Sequence, residues 1–263
     1  MNHQEHIIIK NRSHIAGLSS DVFPMAKTKR DSCDSCASQR TCHAASLMRE
    51  LTAHQQQLTF HLHKIRKGKG IFFAGDKLEA LYVVKSGLFK SYSNSEAGDE
   101  QIMAFHMSGQ VIGADGIAHG RHRLSAKALE NSTICTIDHQ QLDALNNQFV
   151  QKWLMEQIDI ELLRERHLLA ITRKKYNSEA RIALFLLELA EQYKSRGYSD
   201  REFKLIMPQR DIANYLDMVL ETVSRVLTRL QEASVITINR PYITISNIDK
   251  LRATTEELCS LAA

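Results

Sequence analysis

The chain has 263 residues, of which 43% are hydrophobic and 24% charged, and a mean hydropathy of −0.29, the makeup of an ordinary soluble protein with room for two domains. No stretch approaches the roughly 18 apolar residues of a membrane span, and the N-terminal run Ile7-Ile8-Ile9 is too short for a secretory signal, so a cytoplasmic protein with no membrane partner is expected. A net charge of +4 is too small to argue for a nucleic-acid partner by itself, and five cysteines are too few for a disulfide framework.

Residues 1–30 carry no sustained periodicity and end in Lys27-Thr28-Lys29-Arg30, which reads as a mobile, solvated tail without assigned function. Residues 31–57 read as a cysteine-bearing loop and a leading helix. Cys33, Cys36 and Cys42 lie among small and polar residues, as a loop must be if its backbone is to wrap a cofactor. Cys135 follows much later, in Ser132-Thr133-Ile134-Cys135-Thr136-Ile137, a strand-like run. Four thiolates meeting at one point would suit an iron–sulfur cluster or a structural zinc. Zinc more naturally draws on two short pairs, whereas this chain has one pair and two singles. The ordinary reading of Cys135 is a small hydrophobe packed in a strand. Cys259, close to the C-terminus, is not expected to be a ligand.

Residues 58–141 break into short β-like runs with glycine at the corners, among them Gly70-Ile-Phe-Phe, Leu81 to Gly87, Phe89 to Tyr92, Ile102 to Phe105 and Val111 to Gly113. That rhythm predicts an antiparallel barrel or sandwich. From 142 to 175 the period changes, and Leu154, Ile158, Leu162, Leu168 and Leu169 fall at mostly helical spacing. A long helix joining two domains needs a partner for its apolar stripe. A second copy across a two-fold axis is one answer, and the chain's own barrel is the other.

Residues 176–263 predict helices and then a hairpin. Ser178 is expected to cap a helix that stops at Gly197, Pro208 to open a short helix through Tyr215, and a second helix to run from Leu220 to Glu232. Two short helices about a tight turn make a helix-turn-helix, with Ala213 allowing close approach and Val223 filling the crossing. Val235 to Ile245 closes it as a wing. With Val223, Val226, Leu227 and Leu230 facing inward, Glu221, Ser224, Arg225 and Thr228 face solvent. Arginine can bridge guanine O6 and N7, glutamate can accept from cytosine N4, and serine serves either kind of edge, so this face suits a DNA major groove. The competing reading is a solvated helix face with a Glu221–Arg225 pair. Eleven Lys and Arg against twelve acids in this segment argue against binding by charge alone.

The C-x2-C-x5-C spacing, Cys135, the long connecting helix, and Asp211-Ile-Ala-Asn-Tyr-Leu216 followed by Glu221-Thr-Val-Ser-Arg225 together resemble the FNR branch of the CRP/FNR transcription regulators, from about Ser32 to at least Ile245. The resemblance implies an α+β architecture: an N-terminal cyclic-nucleotide-binding-type β-roll, a long dimerisation helix and a C-terminal winged helix-turn-helix. It further implies an oxygen-labile 4Fe-4S cluster on Cys33, Cys36, Cys42 and Cys135. The partners it implies are RNA polymerase and double-stranded DNA, bound by a homodimer at a site of the TTGAT-N4-ATCAA type through Glu221, Ser224 and Arg225, in control of anaerobic metabolism.

The chain departs from that family at two points. Asp217 stands where the family often has Gly in the turn, and Val219 stands where it often has Thr before the recognition helix. Arg164 and Arg166 also interrupt the apolar stripe of the dimer helix, where like-charge repulsion between copies could weaken pairing. Three rivals remain open. A cyclic-nucleotide sensor would need phosphate-cradling Gly-Glu and Arg-Ser pairs, whereas Gly113-Ala114-Asp115 and His122-Arg123-Leu124-Ser125 stand at those places. A zinc-stabilised regulator would share the DNA-binding half. An iron–sulfur enzyme would need a nucleophile–base constellation or a Gly-rich phosphate loop, and neither is visible, so no catalytic residue is expected.

Overall fold

The computed structural model describes Cys33, Cys36 and residues 38–95, 98–145, 147–172 and 176–256; the expected tail at 1–30 and Cys259 lie outside the described residues. Helix α1 (His43–Ala53) leads into strands β1 (Phe60–Ile65), β2 (Gly70–Phe72), β3 (Ala80–Ser86), β4 (Phe89–Asn94), β5 (Glu100–His106), β6 (Val111–Ile112), β7 (Ser125–Ala128) and β8 (Ser132–Asp138). These form two antiparallel sheets, ordered β1-β8-β3-β6 and β2-β7-β4-β5. Phe72, Tyr82, Val84, Phe89, Ile112 and Ile134 fill the roll between them. Gly87 turns β3 into β4 at φ +92°, where a Cβ would lie 2.1 Å from Ser132 Oγ, so neither the backbone conformation nor the space admits a side chain.

The helix expected over 142–175 is divided. Helix α2 (His139–Leu145) ends, and α3 (Gln148–Thr172) begins after Asn147, whose Oδ1 accepts from Phe149 N at 2.9 Å and Val150 N at 3.0 Å. Asparagine serves better as a cap than inside a helix, and here its side chain replaces the intrahelical bonds. Both answers to the stripe question have a place on α3. Val150, Trp153, Leu154, Leu168 and Ile171 are buried against the chain's own roll and helices, while Met155, Leu162 and Leu169, seven residues apart, stay 57%, 50% and 61% exposed. Arg164 does not join that outer row. It turns inward, with Nη1 3.3 Å from His106 Nδ1 and 3.4 Å from Glu161 Oε2, because the buried face offers it acceptors. The expected repulsion between copies therefore does not apply to Arg164, whereas Arg166 is exposed.

The C-terminal part comprises α4 (Ser178–Ser195), β9 (Glu202–Lys204), α5 (Gln209–Tyr215), α6 (Leu220–Glu232), β10 (Ile236–Asn239), β11 (Tyr242–Ile245) and α7 (Ile248–Glu256). Asn177 caps α4 by accepting from Ala180 N at 2.8 Å, so Ser178 is the first helical residue and not the cap. The wing is a three-stranded sheet, β10-β11-β9. Its third strand is too short to show a period, with only Phe203 buried between two exposed neighbours.

Helix α5 docks on β5, the edge strand of its sheet. Asn214 Oδ1 accepts from Ile102 N at 2.7 Å, and Asn214 Nδ2 donates to the Glu100 carbonyl at 2.6 Å. Beside it the buried Lys90 ammonium lies 2.8 Å from Glu100 Oε2 and 3.0 Å from Asp211 Oδ2, and Lys127 pairs with Glu100 from the outer side. One roll cation thus joins an acid of the roll to an acid of the helix-turn-helix. Removing the cation leaves the buried Asp211 carboxylate without its close partner while Glu100 keeps Lys127, so Lys90→Met is expected to lower stability by about 3 kcal/mol in urea unfolding. Lys127→Met, at the solvent edge, is expected to cost less than about 1 kcal/mol.

Candidate DNA-binding surface and cysteine centre

Leu216, Asp217, Met218 and Val219 join α5 to α6. Asp217 takes φ +52°, the left-handed turn conformation that Asp tolerates better than most residues, and Arg181 Nη1 ties the turn to α4 by donating to the carbonyls of Leu216 and Asp217. Val219 occupies the N-cap without a side-chain hydrogen bond. Ala213 and Val223 are buried at the helix crossing, and Val226, Leu227 and Leu230 continue the inward face. Glu221, Ser224, Arg225 and Thr228 are all exposed on the opposite face. Arg225 Nη2 donates to Thr222 Oγ1 at 3.2 Å instead of closing the pair with Glu221, which leaves the Glu221 carboxylate available. Val219 and Leu220, which the sequence places at the helix start without assigning them to the groove-facing side, are 63% and 42% exposed there. Two uncovered apolar side chains beside Glu221 suit contact with a thymine methyl. Their signal was apolar residues outside the inward stripe.

Within the cysteine loop Cys36 N donates to the Cys33 carbonyl, Gln39 N to that of Cys36 and Thr41 N to that of Ser38. Cys42 then forms the N-cap of α1. Cys135 sits on β8, paired with Leu62 of β1 and Val83 of β3. It is half-buried and so departs from the wholly packed strand residue of the ordinary reading. All four of these cysteines are of intermediate burial. Burial pushes the Cys135 thiol up to about 12, and Cys42, Cys36 and Cys33 push in the same direction. Burial likewise raises Cys42, against the amides of Ala44 and Ala45 at the start of α1. The fold has thus brought loop and strand thiols close enough to oppose one another's ionisation. Among the described residues no group of three or more His, Cys, Asp or Glu is drawn tightly enough to hold an ion as it stands. The donor set nonetheless fits a thiophilic cationic centre, since it is all sulfur and partly open to solvent.

The Crp-like helix-turn-helix domain family matches residues 180–254, and the cyclic nucleotide-binding domain family matches residues 62–149. The chain is 36% identical to the fumarate and nitrate reduction regulatory protein of Salmonella typhimurium, over 84% of this chain and 89% of that one. Its identity to the protein of the same name from Vibrio cholerae is 37%, over 82% and 86%. The chain belongs to the CRP/FNR family of transcription regulators. Among solved structures, FixK2 from Bradyrhizobium japonicum is similar with a TM-score of 0.68 and 27% identity, over 75% of this chain and 98% of that one. A CRP-family transcriptional regulator from Thermus thermophilus, at 16% identity, shares the fold with a TM-score of 0.60, over 73% and 96%.

As a CRP/FNR protein the chain is a transcription regulator with a DNA-binding helix-turn-helix and not an enzyme. The two segments singled out in the roll, Gly113 to Asp115 and His122 to Ser125, meet each other in the fold. Asp115 Oδ2 is taken up by the backbone amides of Arg123 at 2.6 Å and Leu124 at 2.9 Å, and the Arg123 side chain is exposed. Inside, the His122 ring stacks on Phe72 with centroids 3.6 Å apart. The exposed face of α6 makes a specific expectation for DNA. Glu221→Ala or Arg225→Ala should weaken binding to the preferred site by about 1–3 kcal/mol and relax the choice of base at one position per half-site. Competition binding against a panel of single-base variants reads this directly. Arg210→Ala, at an exposed position of the first helix, should weaken all sequences alike and reduce the salt dependence.

Proposed function

We propose that the protein is a cytoplasmic oxygen-sensing transcription regulator in which Cys33, Cys36, Cys42 and Cys135 hold a 4Fe-4S cluster. The observation that carries this reading is the packing of Cys42, at the head of α1, and Cys135, on β8, against one buried cluster, in a chain whose other end matches a helix-turn-helix. When bound, such a cluster supplies positive charge to the thiolates and a bond, labile to oxygen, between loop and β8. The chain's own residues do the rest. A loop held on β8 seats α1, whose His43 carbonyl accepts from Trp153 Nε1 of α3 at 2.8 Å, so loop position bears on the dimer helix. The outer row Met155, Leu162 and Leu169 would then pair with a second copy and set two recognition helices one DNA turn apart. A two-fold TTGAT-N4-ATCAA-like site is read through Glu221, Ser224 and Arg225. Release of the loop shifts the population toward weakly binding single copies. RNA polymerase is the partner at promoters of anaerobic metabolism.

Purification without oxygen, followed by assay of iron, sulfide and zinc, tests the sensor. About four irons and four sulfides per chain, with a visible absorbance that bleaches in air, are expected. Stoichiometric zinc would move the signal elsewhere while leaving the DNA-binding half intact. Cys135→Ser should lose the cluster and specific DNA binding, and retained nanomolar binding would sink the scheme. A separate expectation concerns the outer row of α3. Leu162→Glu places like charges opposite each other on a two-fold axis, so sedimentation should show a monomer that still binds iron.

A further inference from the structure

The turn between β5 and β6 meets both the cysteine loop and the DNA-binding domain. It is pinned to β3, where Gly109 N donates to the Val84 carbonyl at 2.7 Å and Val84 N to the Gln110 carbonyl at 2.9 Å. On one side, Ser38 Oγ of the cysteine loop lies 2.7 Å from Ser108 Oγ and 3.1 Å from the Lys85 carbonyl, to which Ser108 also donates at 2.8 Å. The loop backbone follows: His43 N donates to the Gly109 carbonyl at 2.9 Å, and a Cβ on Gly109 would stand 2.4 Å from the Thr41 carbonyl oxygen. On the other side, Arg196 at the end of α4 donates through Nε to the Ser108 carbonyl at 2.8 Å and through Nη1 to the Gln192 carbonyl at 2.6 Å. One residue thus faces the loop with its hydroxyl and α4 with its carbonyl.

We infer that Ser38, Ser108 and Arg196 form a relay within one protomer that couples the seating of the cysteine loop to the position of the DNA-binding domain, by a route separate from the dimer helix. It rests on the reading of Cys33, Cys36 and Cys42 as cluster ligands. The connection is short, since Ser38 lies between Cys36 and Cys42 and a single residue separates it from Arg196. It is also sensitive to displacement. Burial and the nearby Arg164 both work against the Arg196 cation, so its two carbonyl bonds compensate a strained position. A shift of the turn of about 1 Å would lengthen the Ser108 bond beyond hydrogen-bonding distance and release the end of α4. Because α4 also holds the turn before α6 through Arg181, movement there reaches the recognition helix. Arg196 is a positioning residue in this scheme and Ser38 is its sensor-side counterpart.

The test uses the full-length protein, loaded with cluster or exposed to air, and a duplex carrying the two-fold site. For each variant the ratio of air-exposed to loaded Kd is measured alongside iron content and sedimentation. Arg196→Ala and Ser38→Ala should each keep iron and the dimer yet lower that ratio about fivefold or more, and the double variant should lower it no further than the larger single effect. Hydrogen exchange supplies a readout without DNA: amides at 193–198 should be slower in the loaded wild type than in the air-exposed protein, and this difference should vanish in Ser38→Ala. Arg196→Lys, which keeps a donor, should restore part of the ratio. An unchanged ratio with both states weakened equally, or additive losses in the double variant, overturns the relay alone. A wild-type chain that carries no iron overturns the cluster reading and the relay with it. If Ser38→Ala fails to load, Arg196→Ala, which lies away from the cysteines, decides by the same ratio.

Discussion

Contact between two backbones at Gly109 organises the sensor half of this protein. Any side chain there would strike the Thr41 carbonyl, and φ +88° is a conformation that glycine alone adopts freely. The missing Cβ lets the loop lie against the β5–β6 turn, where Cys42 takes the N-cap position of α1. Both Trp153 of the dimer helix and Arg196 of α4 are hydrogen-bonded to parts of this assembly. The cysteine loop is thereby connected to both α3 and α4.

Charge is used differently in the two halves. At the domain junction Lys90 is buried between Glu100 and Asp211, an arrangement whose value lies in fixing the register of α5 on β5 more than in net stability. On the recognition helix the charges are exposed and Glu221 and Arg225 are left apart, which keeps both available to a groove. Non-specific attachment would favour a basic surface. An acidic residue at the start of the recognition helix would instead favour sequences that offer it a donor.

The long connecting helix shows how one sequence stripe can contain two faces. Leu154 and Leu168 turn inward, Leu162 and Leu169 turn outward, and Ile158 lies between them, a division that a list of apolar positions does not reveal. Arg164 illustrates the same point. Within the sequence it interrupts a hydrophobic row, whereas in the fold it is an inward residue with His106 and Glu161 as partners.

Features carried by local chemistry were legible in advance: glycine corners and alternation for the roll, the inward stripe of α6, the left-handed Asp217, and the uncapped Val219. The cysteine spacing marked out Cys33, Cys36 and Cys42 as a group, whereas Cys135 joined them as a ligand only through the family resemblance. The helix break at Asn147, the cap at Asn177 and the short strand β9 were missed because a single polar side chain or one buried position decides each, and such signals are too brief to form a period. Long-range placement was decided only by tertiary structure. No pattern in the chain announces that Lys90 meets Asp211, that Ser38 meets Ser108, or that Arg196 closes on the same turn, since each pair depends on how two separately folded pieces are oriented. Sequence by itself determined the parts and their chemistry, because propensity, periodicity and ligand type act over a few residues. Packing decided which parts can influence one another, because hydrogen bonds and buried charge act only between groups that the fold has brought within a few ångströms.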